Sequence, residues 1–388
     1  MKIIHCADLH LDSKMTTNLT KEKAKERKNE LLMTFQKMIQ FADEQNVAAI
    51  IIAGDLFDKD KVSKTAMNAV QQAIENHPQM DFYYLRGNHD VDSFLSSLEN
   101  MQDNLKLFGD TWTSYVANED KQADSEVAED TQASHRVSKN AGGSIVITGV
   151  EFTADNQGQI YDSLVLNADS YNIVVLHGQE SEYVGKDKTE IVHIRQLKNK
   201  GIDYLALGHI HSYKEEPLDS RGVYCYSGCL EGRGFDECGE HGFVLLDIDE
   251  ETKQCTRQFV PMAQRQIYAV DIDVTGCNST VDMERQIEAE LKEHTYPDTG
   301  LMKFVLVGEV DVECEKDIDY LVKQFKERFY FLKIYDETRL HVDYKEFALD
   351  ASLKGEFVRT VMQEDELSED EKAEIIRYGI QALAGEEI

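Results

Sequence analysis

Residues Phe82-Tyr83-Tyr84-Leu85-Arg86-Gly87-Asn88-His89-Asp90 decide how this chain is read. The apolar run Phe82 to Leu85 has the character of a short buried strand. Polarity then switches at once. Gly87 frees the backbone, and an amide, an imidazole and a carboxylate follow on successive positions. Polar side chains at a strand tip splay in different directions, so they can serve different partners in one cavity. Asn88 offers a neutral oxygen ligand, His89 a proton donor or acceptor, and Asp90 an orienting carboxylate. Taken alone the stretch is equally a polar turn, because Gly-Asn is a common turn pair. Recurrence of the pattern elsewhere separates the two readings.

Upstream, the strand Lys2 to Cys6 runs into Ala7-Asp8-Leu9-His10. The continuous apolar run Val47 to Ala53 has the look of a strand buried on both faces, and it ends in Gly54-Asp55-Leu56-Phe57-Asp58. Between them Thr20 is placed as an N-cap, opening a long helix with Leu31, Leu32, Phe35, Met38, Ile39 and Ala42 on one face. Its first turns interleave Lys21, Lys23, Lys25, Arg27 and Lys28 with Glu22 and Glu26, which predicts a solvated face laced with i,i+4 pairs. A second helix covers Ser63 to Asn76. Downstream strands are expected at Ile145–Val150, Tyr171–Leu176, Ile202–Leu207, Val223–Tyr226 and Phe243–Ile248. Two of them end in His177-Gly178 and Gly208-His209-Ile210-His211. Residues 117–141 lose the apolar pattern and are expected as a surface loop. Strands alternating with helices, polar at their carboxyl ends, indicate an α/β fold with a ligand beyond those ends.

Near Pro261 the pattern changes to a small α+β unit, and after Gly355 to two short helices. The expected domains are therefore 1–262, 266–350 and 351–388. The apolar faces of the last helices need a second surface, either the body of the protein or a partner helix.

Composition bounds the function. The chain has 388 residues and a net charge of −32, so its surface as a whole is no basic nucleic-acid footprint, although a local patch or a partner can supply one. Its 7 Cys form no C-x-x-C pairs and are expected as reduced thiols. Asp8 comes too early for a signal peptide, and no apolar run reaches the ~18 residues of a membrane span. The expectation is a cytoplasmic protein with no membrane association.

Five strand ends carry ligand-type side chains: Asp8 with His10, Asp55, Asn88 with His89, His177, and His209 with His211. Residues two apart on a strand point to one side, so Asp8 can converge with His10, and His209 with His211. Mixed His, Asp and Asn donors suit Mn²⁺, Fe²⁺ or Zn²⁺, whereas an all-oxygen set suits Mg²⁺ or Ca²⁺ and a closed structural zinc site uses Cys. Among other residues, His5 is expected as a satisfied core histidine. The loop Glu231-Gly232-Arg233-Gly234 is either a tight turn or a substrate contact through Arg233.

In this order, Asp8-Leu9-His10, Gly54-Asp55-Leu56-Phe57-Asp58, Gly87-Asn88-His89-Asp90, His177 and Gly208-His209-Ile210-His211 resemble the calcineurin-like metallophosphoesterases. More narrowly, they resemble the SbcD-type DNA repair exonucleases, bacterial relatives of the double-strand-break repair nuclease. The resemblance implies a four-layer sandwich of two mixed β-sheets flanked by helices, with a small α+β capping domain and C-terminal helices. It implies two divalent metal ions, most naturally Mn²⁺. Asp8, His10, Asp55 and His211 would hold one, and Asp55, Asn88, His177 and His209 the other, with Asp55 bridging. His89 would face the scissile phosphate and Asp90 would fix its tautomer. The implied activity is hydrolysis of DNA phosphodiester bonds by a homodimer working with an SMC-like coiled-coil ATPase. One departure stands out: archaeal and eukaryotic members carry His where this chain has Asp58. A phosphatase or cyclic-nucleotide phosphodiesterase would share the metal site, and an adaptor would have no need of it.

Overall fold

The computed structural model describes residues 1–15, 19–58, 62–88, 90, 93–98, 101–117, 144–153, 156, 160–181, 190–311, 314–341, 347 and 349–384. His89 and the acidic segment expected as a surface loop lie outside the described residues, apart from Ala117. The chain divides into compact units, Met1–Gln264 and Arg265–Ile388.

In the first unit, β1 (Lys2–Cys6), β2 (Ala49–Ala53), β3 (Asp81–Leu85) and β4 (Leu105–Leu107) run parallel as neighbours. Antiparallel β13 (Gly242–Ile248) and β14 (Cys255–Pro261) complete this sheet beside β1. The second sheet has parallel β6 (Ile145–Gly149), β7 (Tyr171–His177), β10 (Tyr204–Gly208) and β12 (Val223–Tyr226). Its edges are antiparallel β5 (Thr113–Val116) and β11 (Lys214–Pro217). Both sheets are mixed, and each is covered on its outer face.

The apolar runs explain the layers. Ile3, Ile51 and Tyr83 of the first sheet meet Ile147, Val175 and Ala206 of the second in one core. The alternate residues Ile4, Ile50 and Phe82 face outward against α1 (Lys21–Glu44) and α2 (Lys64–Asn76), through Phe35, Met38 and Val70. On the far side Val174, Leu205 and Tyr226 pack with Tyr161 and Leu197. Strands buried on both faces therefore read as unbroken apolar runs. Thr20 caps α1 as its sequence predicts, accepting from the Lys23 amide at 3.3 Å.

The basic face of α1 is not wholly solvated. Arg27 is 0% exposed. Its guanidinium donates to Glu30 (2.5 Å), Glu231 (2.9 Å) and the Gly232 carbonyl (2.5 Å). Glu231 also accepts from the Thr34 hydroxyl at 2.9 Å and the Gln264 amide at 2.8 Å. Helix periodicity put Arg27 among lysines, but its partner lies two hundred residues downstream in sequence, where no local pattern points. His5 is a core residue as expected, with Nδ1 2.8 Å from the Tyr204 hydroxyl between the sheets, but it is satisfied on that side only: among the described residues its buried Nε2 has no hydrogen-bond partner.

In the second unit, parallel β15 (Ile267–Asp273), β16 (Leu301–Val307) and β18 (Phe331–Asp336) carry α5 (Thr280–Glu293) and α6 (Ile318–Phe325) on one face. The C-terminal helices α7 (Leu353–Met362) and α8 (Glu369–Ala384) belong to this unit and pack on each other through Val358, Val361, Ala373 and Ile376. Ser368 and Glu371 form a capping box, exchanging bonds of 3.3 and 2.8 Å. No helix among the described residues is long and apolar enough to cross a membrane.

Removing the buried guanidinium strands two carboxylates in a dry site. Arg27→Met should destabilise the protein by about 3–5 kcal/mol, read by urea unfolding; a loss within experimental error would show that the network carries no net stability. Burial also pushes the His5 imidazole down to about 3. The unfolded chain then binds a proton between pH ~6.5 and ~3 that the folded chain refuses, so stability falls on acidification by up to about 1.4 kcal/mol per pH unit from this group. His5→Asn should flatten the pH dependence of unfolding free energy across pH 6.5 to 5, and equal slopes in variant and parent would refute this.

Candidate metal centre

Parallel pairing of β1, β2 and β3 puts their carboxyl ends side by side, and β7 and β10 do the same in the second sheet. The chain leaves these ends in unusual backbone conformations: φ is 51° at Asp8, 42° at His10, 52° at Asp55 and 98° at His209. Left-handed backbone at non-glycine residues costs about 1–3 kcal/mol each and persists only where surrounding structure enforces it. Here the Asp8 amide donates to the Gly54 carbonyl at 3.1 Å and the His10 amide to the Asp55 carbonyl at 3.0 Å.

This corrects the strand-alternation argument. β1 ends at Cys6, so Asp8 and His10 converge because the β2 loop holds their backbone, not because they share a strand face. His209 and His211 do not converge: the first groups with His177 and the second with Asp8 and His10.

Two close approaches require glycine. A Cβ on Gly87 would fall 2.3 Å from Asp55 Oδ1, and one on Gly54, at φ 91°, would fall 2.1 Å from His177 Nδ1. The Gly87 that opened the reading is thus needed to admit the Asp55 carboxylate.

Asp8, His10 and His211 bring ligand atoms within 4.8 Å of one another; so do Asp8, Asp55 and His177, and so do His177, Glu190 and His209. One oxygen, Asp55 Oδ2, lies 3.8 Å from His10 Nε2 and 3.5 Å from His177 Nε2, which places it between the two histidine sets. Asn88 Oδ1 lies 3.3 Å from His177 Nε2. The far ring nitrogens are engaged: His177 Nδ1 is 2.9 Å from the Ala53 carbonyl, and His211 Nδ1 is 2.6 Å from Glu237 Oε1. His10 Nδ1 is 4.0 Å from Asp58 Oδ1, and Asp58 accepts from the Ser13 hydroxyl at 2.9 Å. Asp8 takes the His209 amide on both oxygens, at 3.0 and 2.9 Å.

The donor chemistry fits divalent metal. His10 Nε2 and His211 Nε2 face each other at 3.2 Å. With a proton on each Nδ1, two lone pairs would oppose each other unless a cation or proton lay between. Asp8 and Asp55, 1% and 2% exposed, add two negative charges to the same buried space. Burial pushes the Asp8 carboxyl up; His211 and His177 oppose that shift, and Asp55 adds to it. Burial alone would depress His177, but Asp55, Asp8 and Glu190 outweigh it and hold the imidazole up to about 10. Protons thus gather where metal charge is called for.

All seven ligand candidates from the sequence, Asp8, His10, Asp55, Asn88, His177, His209 and His211, lie at these strand ends. The Asp90 carboxylate accepts from the backbone amides of Gly87 (3.0 Å), Phe57 (2.9 Å) and Leu56 (3.3 Å). It clamps the Gly87 loop to the Asp55 loop. Burial and the nearby Asp55 push it up to about 7. Sequence reading missed Glu190, whose Oε2 is 3.9 Å from His177 Nε2, and Glu237. Glu190 sits in no motif; Glu237 closes the loop that had been read for Arg233.

The calcineurin-like phosphoesterase family model matches residues 1–213. The chain belongs to the calcineurin-like phosphoesterase family. The family is one of metal-dependent phosphoester hydrolases that bind two divalent metals. Among relatives, the uncharacterized metallophosphoesterase YhaO of Bacillus subtilis is 26% identical over 257 residues, 64% of this chain and 57% of that protein, so the match spans less than two thirds of that relative. The DNA double-strand break repair protein Mre11 of Saccharolobus solfataricus is 23% identical over 100% of this chain and 96% of its own length. The Mre11 of Methanopyrus kandleri is 24% identical over 88% of this chain and 74% of its own.

Gly54→Ala drives a methyl into His177. It should cost about 1–3 kcal/mol from overpacking and reduce the divalent ions retained per chain, measured by urea unfolding and elemental analysis. Parental stability with undiminished metal content would show that the calcineurin-like phosphoesterase site tolerates a side chain there.

Proposed function

We propose that this protein is an SbcD-type DNA nuclease that uses two Mn²⁺ ions to hydrolyse phosphodiester bonds in DNA repair, together with an SMC-like coiled-coil ATPase. The observation that carries this reading is the span of the Mre11 likeness, which runs over 100% of this chain and so includes the second unit. A phosphatase of small substrates has less use for residues 265–388.

Two divalent cations held by this donor set would activate a water near neutral pH and offset the charge building on the phosphate oxygens. The protein's own groups do the rest. Asp55 stands between the histidine sets and orients both. Asp90 and Gly87 hold the Asn88 loop against the Asp55 loop. His89, outside the described residues, follows Asn88 directly, and by resemblance it protonates the leaving alkoxide. With a net charge of −32, this reading has the ATPase partner supply the basic DNA track. The partner's docking segment is the C-terminal helix pair, where Ile375, Tyr378 and Leu383 stay 40%, 44% and 44% exposed.

Linear duplex and hairpin DNA should be degraded in Mn²⁺ and left intact after chelation. His89→Asn should lose about 10²-fold or more of that rate while still binding two ions. Intact DNA in the presence of Mn²⁺ and the ATPase, with turnover of phosphomonoesters or cyclic nucleotides instead, would replace this reading with a phosphatase or cyclic-nucleotide phosphodiesterase.

A further inference from the structure

We propose that Glu237, gripped by Arg233, is the positioning residue of the metal held by Asp8, His10, Asp55 and His211, turning the Nε2 lone pair of His211 onto that ion. The inference rests on the two-metal reading of the site and adds to it a residue outside the ligand set.

The geometry is specific. Glu237 is 5% exposed and reaches His211 Nδ1 with Oε1 at 2.6 Å, within the range of a charge-assisted bond. The same oxygen accepts from Arg233 Nη2 at 2.9 Å and Nε at 3.2 Å, and Oε2 accepts from the Arg233 amide at 2.7 Å. With both oxygens engaged, the carboxylate is not available to swing in as a ligand. Arg233 Nη2 also lies 3.2 Å from His211 Nδ1, so that nitrogen meets a donor and an acceptor at once. The shorter contact to a carboxylate gives the Nδ1 proton to the Glu237 bond and leaves Nε2 unprotonated. A carboxylate behind a ligand imidazole fixes its tautomer and raises its basicity as a donor.

The arrangement is asymmetric, which makes the inference selective. Behind His177, on the other metal, stands the Ala53 carbonyl at 2.9 Å, a neutral acceptor. Losing Glu237 should therefore weaken one metal and spare the other. The grip on Glu237 is also anchored at a distance: Arg233 follows Glu231-Gly232, the two residues that buried Arg27 ties to α1.

The test is a Mn²⁺ titration of the metal-free full chain by calorimetry and electron paramagnetic resonance. The parent should bind two ions. Glu237→Gln should weaken one binding step by about 10–100-fold and leave the other unchanged. Long-range proton–nitrogen spectra of the histidines should show the His211 Nδ1–H in the parent and its change of tautomer population in the variant. Arg233→Met, which keeps the Glu237 carboxylate, should weaken the same step by a smaller factor, and it serves as the test if Glu237→Gln does not fold. Two unchanged binding steps in a folded variant, with the His211 signal unmoved, overturn the role of Glu237. A parent that binds fewer than two ions overturns the two-metal reading itself, and the inference with it.

Discussion

Two buried carboxylates and a pair of opposed imidazole nitrogens set the terms for this protein. Asp8 and Asp55 lie at the ends of neighbouring parallel strands, out of contact with water, and His10 and His211 turn their Nε2 atoms toward each other. Such a cluster repels itself unless positive charge enters it. The fold accepts this cost because both sheets direct their strand ends to one place and backbone hydrogen bonds between loops hold the repelling groups there. The left-handed residues Asp8, His10, Asp55 and His209 are the local expense of that arrangement. A donor set that calls for positive charge and a backbone strained around it are two aspects of one arrangement.

The supports of the site come from remote parts of the chain. Asp90 joins the β2 and β3 loops through three backbone amides. Behind His211 stands Glu237, behind Glu237 stands Arg233, and the residues before Arg233 are tied to α1 by Arg27. The same buried ion network that secures the first helix thus continues toward His211, a candidate ligand. Stability and site geometry are linked here by contacts, so damage to the network is expected to reach the metal as well as the melting point.

Family membership rests on residues 1–213, and the nuclease reading on what lies beyond them. The metal centre is common to enzymes that cleave quite different phosphoesters. Its chemistry is blind to whether a nucleic acid or a small ester occupies the cavity. The second unit lies beyond the family match and holds a parallel three-stranded sheet with two covering helices and a separate helical pair.

Much of this was legible in the amino-acid order. Unbroken apolar runs ending in Asp, Asn or His announced parallel strands buried on both faces with ligands at their tips, because burial and side-chain chemistry are local properties of a strand. That rule picked out eight polar residues at five strand ends; the resemblance to the calcineurin-like metallophosphoesterases set His89 apart from the seven ligand candidates. Tertiary structure decided what depends on distant partners. It took Arg27 out of solvent, gave Asp90 to backbone amides, sent His209 and His211 to different groups, and brought Glu190 and Glu237 to histidines far from them in sequence. A side chain's residue type is written in the sequence; its protonation, tautomer and partner are set only when the fold closes around it.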